Sequence, residues 1–329
     1  MIRKLLPFAA LSIGIAATVW LIAAARLTSI LDSVAQVGWG IAAVVAVRAI
    51  MITINGVAWR LSLTKLVEVP YAVFPFVRWI REAIDVLLPA ASIGGSLASA
   101  RLLTFWRVSV AMALAGVFAD VFLQTVAQAL FASAGALLLA RMVGLGTLLP
   151  QLLLGVAAAA VVLGGFYLLQ RYGAARWIDR AMNALTVRTA WRVQRGEIGV
   201  QSAMDKIWRG RRLYLATALV IHVIAWASGT LEVSLTLHFM HWPVSLERAI
   251  VLESLGASIS SAAFFIPGSW GVQEGGYILI GHLLGVPAPL ALSLSLVKRV
   301  PDLVLGAPGL LAWRIVEARH LLAARPETA

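Results

Sequence analysis

The sequence predicts an all-α polytopic membrane protein with about six full spans, two re-entrant broken-helix hairpins of opposite orientation and an amphipathic cytoplasmic elbow. Three observations carry this expectation. Of 329 residues, 61% are hydrophobic and 13% charged, whereas a soluble domain has about 45–50% and about 25%, so too little polar surface exists to cover a water-facing body. The apolar residues fall in runs of span length. The excess of 27 Lys plus Arg over 15 Asp plus Glu, a net +12, is concentrated in one stretch, as cytoplasmic loops require under the positive-inside rule. No cysteine is present, which excludes disulfides, a thiolate metal site and a cysteine nucleophile.

In chain order, Arg3 and Lys4 precede an apolar run at 5–25. At about 1.5 Å per residue it crosses a hydrocarbon core of about 30 Å. It exceeds the roughly 7–15 apolar residues of a secretory signal, so an uncleaved first span with a cytoplasmic N-terminus is expected. The run 38–63 carries Arg48 and Asn55 in its middle and ends at Arg60 and Lys65, back on the cytoplasmic side. Runs 108–139 and 147–169 read as two further spans joined by a short turn with Arg141.

Residues 171–212 hold ten Lys or Arg against Asp179, Glu197 and Asp205, which is +7 of the +12. Trp177, Ile178, Ala181 and Leu185, then Val200, Ala203, Met204, Ile207 and Trp208, recur at helical spacing opposite charged faces. Amphipathic helices in anionic lipid headgroups fit this pattern, with about 1 kcal/mol of attraction per cation near the surface; nucleic acid is not an expected partner. The run 213–239 then emerges outside near His238 and His241, which have no third ligand beside them, so no metal is expected. Arg314, Arg319 and Arg325 put the C-terminus in the cytoplasm. The whole of 1–329 is expected to be a single integral membrane domain: a first half at 1–170, the elbow at 171–212 and a second half at 213–329.

Two segments do not read as simple spans. Residues 70–106 break at Pro89, Gly94 and Gly95, and both flanks are expected on the cytoplasmic side, so the segment must enter the membrane and turn back. Residues 245–284 break at Pro267, Gly271, Gly275 and Gly276 between two external flanks, and should dip in from the opposite face. Proline and paired glycines interrupt the helical ladder, and irregular backbone at membrane depth is tolerated where it is buried in protein or lines a cavity. Placing Pro89 over Pro267 sets Gly94 near Gly271 and Ser96 opposite Glu274, the pattern of an inverted repeat with its site between the halves.

Ionisable groups at a span centre cost at least about 2.5–3.5 kcal/mol each, so they are paired or face water and mark functional sites. Glu274 and Gln273 sit in the second break, and Lys298, Arg299 and Asp302 lie within the last apolar run, which Pro301 should kink. Glu274 is expected to pair with Arg299. In the first hairpin Arg78 with Glu82 and Arg81 with Asp85 are spaced by four, as helix salt bridges are, leaving Arg101 freest to face a cavity. The expected substrate-binding set is Glu274, Gln273, Arg299, Arg101, Asp302, Lys298, Trp270 and Asp85. Asp120, Gln124 and Gln128 form a polar stripe, and His222, Glu232 and Glu253 are weaker candidates. No nucleotide-binding, zinc-protease or serine-hydrolase motif occurs, so neither an enzyme nor a cofactor is expected.

The Pro-x-x-x-x-Gly-Gly of the first hairpin, the Pro-Gly and then Glu of the second, and the last-span Arg resemble the flippase-like membrane region of the lysylphosphatidylglycerol synthase family. The resemblance runs from about Ile41 to Arg314. Gly271-Val272-Gln273-Glu274-Gly275-Gly276, Leu294 to Arg299 and Gly306-Ala307-Pro308-Gly309 look like its hopanoid-biosynthesis-associated members. The resemblance implies a bacterial inner-membrane protein that moves or positions lipids, here hopanoids or a related lipid, with lipid-synthesis or export proteins as partners. Ser96 stands where the family commonly has an acidic residue, and Pro301-Asp302 where Arg-Glu often follows the last-span Arg. Lysine transfer to lipid is not expected, since no aminoacyl-transfer domain is in the chain. Alternatives are a phospholipid flippase, a non-transporting scaffold for lipid-synthesis enzymes, and an intramembrane enzyme using Glu274.

Overall fold

A computed structural model describes residues 35–88, 94–144, 161, 164, 165, 168, 199–263, 266, 269 and 271–323. The expected first span at 5–25, most of the run 147–169 and most of the elbow lie outside the described residues, as do Pro89, Pro267 and Trp270. The described residues form ten α-helices: α1 (Gly40–Ser62), α2 (Val73–Leu87), α3 (Gly94–Thr104), α4 (Val110–Val143), α5 (Val200–Trp208), α6 (Arg212–Phe239), α7 (Leu246–Ala262), α8 (Val272–Leu283), α9 (Ala288–Val297) and α10 (Arg299–Ala323). Three of them, α1, α4 and α6, are long and apolar enough to cross a membrane. At about 1.5 Å per residue the 23 residues of α1 extend about 35 Å, more than a hydrocarbon core of about 30 Å. The protein is a membrane protein, and its described residues form helices and no strands.

Two apolar clusters hold it together, one at each end of the long helices. The first joins Trp59 and Leu63 of α1, the start of α4 and Leu215 and Ala218 of α6. The second joins Val37, Leu139 of α4, Val233 and Leu237 of α6 and the apolar faces of α7 to α9. Thus α1 runs antiparallel to α4 and α6. Serine starts two of these helices: Ser109 Oγ accepts from Met112 N at 3.3 Å, and Ser245 Oγ from Arg248 N at 3.4 Å, each satisfying an N-terminal amide.

The broken segments obey the same two-ended scheme. Phe74 and Val77 of α2 and Leu102 and Leu103 of α3 all lie in the first cluster, so the α2–α3 pair begins and ends at one end of the molecule. Val251 and Leu252 of α7 and Ile280 and Leu284 at the close of α8 lie in the second, so that pair begins and ends at the other. The apolar run after it is interrupted at Lys298, between α9 and α10. Pro301 has no N–H to give the Val297 carbonyl, and its ring crowds that carbonyl, so the ladder fails one turn before the proline. α9 belongs to the second cluster, while Leu310, Trp313 and Val316 of α10 pack on the first.

Glycines allow the closest approaches. A Cβ on Gly56 of α1 would meet the backbone of Pro75 in α2, and one on Gly306 of α10 would meet Leu87 at the end of α2. The indole of Trp79 donates to Leu305 O at 2.7 Å, tying α2 to α10 across the same seam. The helix α5 departs from the expected headgroup-embedded elbow. Its apolar face, Val200, Ala203, Met204 and Ile207, is buried on the first cluster, with Trp208 edge-on to Phe122 of α4 at 5.4 Å. A long apolar helix lies close enough to take that face from lipid, while Lys206 and Arg209 stay exposed.

Candidate functional site

Between the two apolar clusters lies a layer of ionisable side chains around a cavity of about 180 Å³. Every long element contributes to it, because each charge in a span has to find a partner or water within the bundle. Arg48, at the middle of α1, binds Glu232 of α6 through two nitrogens at 2.7 and 2.9 Å and Asp302 of α10 at 2.8 Å. Lys298 leaves the α9–α10 interruption and donates to Glu232 Oε2 and Glu253 Oε2, both at 2.8 Å. The phenol of Tyr277 donates to Glu253 Oε2 at 3.1 Å. Two cations and three carboxylates from five segments thus make one network, with Glu232 fully buried.

A second cluster sits beside it. Asp120 of α4 receives Arg81 at 2.8 Å, Arg78 at 3.5 Å and the amide of Gln124 at 2.6 Å on one oxygen. Arg78 also pairs with Glu82 at 3.0 Å, and Arg81 with Asp85 at 3.7 Å, the two spacings of four expected along α2. Of the polar stripe on α4, Asp120 and Gln124 join this cluster, while Gln128 donates to Ser261 Oγ at 2.6 Å and Ala257 O at 3.3 Å on α7.

The second break is built around Glu274. Gly271 has φ +80°, a left-handed backbone that glycine adopts without Cβ strain, and its N–H donates to Glu274 Oε2 at 2.7 Å. This closes the first turn of α8. The other oxygen of Glu274 takes Arg299 Nε at 3.0 Å and Nη2 at 2.9 Å, and Arg299 Nη2 also donates to Ser269 O at 3.4 Å. The expected Glu274–Arg299 pair is therefore present, and it staples one chain interruption to another.

The structure separates the sequence-derived site residues into groups. Gln273, Lys298 and Asp302 line the cavity; Gln273 donates weakly to Ser295 O and Oγ at 3.4 and 3.3 Å. Glu274 and Arg299 sit behind that wall, spent on each other. Asp85 is turned to the first break, where Oδ1 accepts Gly95 N at 3.0 Å. The side chain of Arg101 does not face the cavity: Nε and Nη2 clasp Glu317 of α10 at 2.7 and 3.1 Å. A carboxylate more than four turns beyond Pro301, invisible to local spacing, captures it. Trp270 lies outside the described residues.

Arg48, Asn55, Glu253 and Tyr277 also line the cavity, and the expected set omitted them. The signal for Arg48 and Glu232 was their mid-span position, where an unpaired charge is too costly to keep. No local pattern linked them, since they lie 184 positions apart.

The arrangement presents carboxylates, amides and hydroxyls to a small, partly open space, with every cation that lines it already bonded to a carboxylate. It can take hydrogen-bond donors, and its cations are occupied by carboxylates. Neither the curated proteins nor the solved structures compared with the chain give a match. The family described as the lysylphosphatidylglycerol synthase TM region matches residues 8–309, nearly the whole length. This membrane protein, whose described residues form a helical bundle with two broken helix pairs around a charged layer, belongs, on that match, to the lysylphosphatidylglycerol synthase transmembrane-region family, whose setting is the lipid chemistry of membranes.

Proposed function

We propose that this protein is a non-enzymatic lipid transporter that carries the polar end of a lipid through the cavity while the apolar part stays in the bilayer. The observation that carries this reading is the cavity itself, a charged and amide-lined space of about 180 Å³ among apolar helices. A buried polar cavity in a membrane bundle is costly to keep unless something polar uses it. The α2–α3 and α7–α8 pairs act as re-entrant hairpins of opposite orientation, the layout in which a site lies between inverted repeats.

The lipid best suited is a hopanoid, or a related lipid with a hydroxylated or amino-bearing end. Arg48, Arg78 and Lys298 line the cavity with Glu82, Glu253 and Asp302, and each cation is already bonded to one of those carboxylates, so an anionic phospholipid headgroup must compete for them, whereas hydroxyl or amine hydrogens find acceptors there. Gln273, Lys298 and Asp302 receive the headgroup, and Glu274 with Arg299 keeps the second hairpin in place behind them. The protein works in a bacterial inner membrane with both termini cytoplasmic. Exposed Lys206 and Arg209 lie against anionic headgroups on that side.

The experiment is transport by purified protein reconstituted in vesicles, with a fluorescent or chemically accessible hopanoid and an anionic phospholipid offered separately. The hopanoid should cross faster than in protein-free vesicles, and Gln273→Ala should slow it. Equal rates with and without protein, for both lipids, would sink the reading. Faster crossing of the anionic phospholipid alone would replace the hopanoid as substrate.

A further inference from the structure

We propose that His222 and Asp120 hold a bound proton between them, a proton site in the cavity wall whose loading accompanies occupancy of the cavity. The coupling to occupancy rests on the lipid-transport reading; the proton site does not.

Hydrogen-bond direction carries the first step. Asn55 Nδ2 donates to Met51 O at 3.0 Å, which turns Asn55 Oδ1 toward His222 Nδ1 at 2.7 Å. An amide oxygen only accepts, so Nδ1 bears a hydrogen, and in a neutral ring Nε2 is then a bare lone pair. Yet Nε2 lies 3.3 Å from Asp120 Oδ1. Among the described residues neither atom has a hydrogen-bond partner, and both side chains are fully buried. A bare ring nitrogen and a carboxylate oxygen this close repel, and each buried acceptor is left unsatisfied. One proton in the gap turns that contact into a charge-assisted hydrogen bond.

The charges around the pair are compatible with a bound proton. From α2, Arg78 and Arg81 face Asp120, backed by Glu82 and Asp85 on their own helix. From α4 come Asp120 and the neutral Gln124, from α1 the neutral Asn55, and from α6 His222 itself. Two guanidinium groups against three carboxylates leave one negative charge around the pair, which does not oppose an added proton.

The two amides connect this pair to the cavity. Asn55 and Gln124 both line it; Asn55 holds the ring, and Gln124 Nε2 holds Asp120 Oδ2 at 2.6 Å. A headgroup that draws either amide away alters the hydrogen bonding of the ring or of the carboxylate, and so the hold on the proton.

The test is nitrogen-15 and carboxyl carbon-13 magnetic resonance of the full chain in lipid bilayers at neutral pH. Replacing the four exposed histidines, His238, His241, His282 and His320, by Gln leaves His222 as the one ring in the spectrum without touching the site. The expected result is hydrogen on both ring nitrogens with Asp120 ionised; hydrogen on the Asp120 carboxyl with a neutral ring equally places the proton in the gap. A bare Nε2 facing an ionised Asp120 overturns the site. In vesicles, a proton gradient should change the rate of lipid crossing by wild-type protein several-fold, and a sodium gradient should not. Crossing that ignores the proton gradient overturns the coupling, whereas no crossing by wild-type protein at all overturns the transport reading and the coupling together, leaving the spectroscopic result to decide the proton site.

Discussion

Arg48 of α1 meets Asp302 of α10 at 2.8 Å across 254 positions of sequence, with Glu232 of α6 on the other edge of the same guanidinium. One side chain thereby ties a spanning helix of the first half to two helices of the second. Removing it leaves two carboxylates in the bundle interior beside Glu253, with Lys298 alone to balance three. Arg48→Leu is therefore expected to lower stability by about 3–5 kcal/mol, the scale for breaking a buried pair from one side. Adding Asp302→Asn should recover part of that. Thermal unfolding of the purified protein in detergent measures both, and a single variant as stable as wild type would show that the network contributes nothing to folding.

Glu274 performs two local tasks, accepting the Gly271 amide and neutralising Arg299. Glu274→Ala should cost about 3–5 kcal/mol by stranding the guanidinium, and Gly271→Ala about 1–3 kcal/mol by forcing a Cβ into left-handed backbone. If Glu274→Ala leaves the unfolding temperature in place while abolishing transport, Glu274 contacts the lipid and is not a structural staple.

Gln273 and Arg101 separate cavity residues from scaffold residues. Gln273→Ala removes a cavity amide held by weak bonds to Ser295, so transport should fall about five-fold, the equivalent of one hydrogen bond of about 1 kcal/mol, with unfolding unchanged. Arg101→Ala breaks a half-exposed pair with Glu317, which contributes about 1 kcal/mol or less, and transport should stay near the wild-type rate. The reverse ranking in reconstituted vesicles would move the site to the first hairpin.

The seam between α1 and α2 is tested by Gly56→Ala. Its methyl group would meet the Cα and N of Pro75, backbone that cannot rotate away, so the helices must spread at about 1–3 kcal/mol. An unfolding midpoint equal to wild type would mean that the two helices have room to separate.

Helix α5 gives a fifth test, one that distinguishes protein packing from lipid contact. Ile207 is fully buried on the first apolar cluster, so Ile207→Ala should cost about 2–5 kcal/mol and expose α5 to limited proteolysis. Resistance equal to wild type would return the helix to the bilayer surface.

The membrane class, the breaks near 89–95 and 267–276 and the Glu274–Arg299 pair were legible in the sequence because their signals are local: apolar run length, proline and glycine positions, and two costly charges near two interruptions. The fates of Arg101, Arg48 and α5 were not. Spacing along a helix cannot reveal that Glu317 waits for Arg101 on another element, or that α4 covers the face of α5 that sequence alone assigns to lipid.

By itself the sequence determined the solvent of this protein, its helical class and the inventory of charges that must be accommodated away from water, since each of these follows from composition and short-range pattern. Only the tertiary structure decided which charges meet. Ion pairing depends on a few ångströms between side chains that lie up to 254 positions apart, and that separation is set by how helices cross. The net charge of +12 and the few buried charges that build the cavity are read from the same letters, but the second group acquires its chemistry from its neighbours in space.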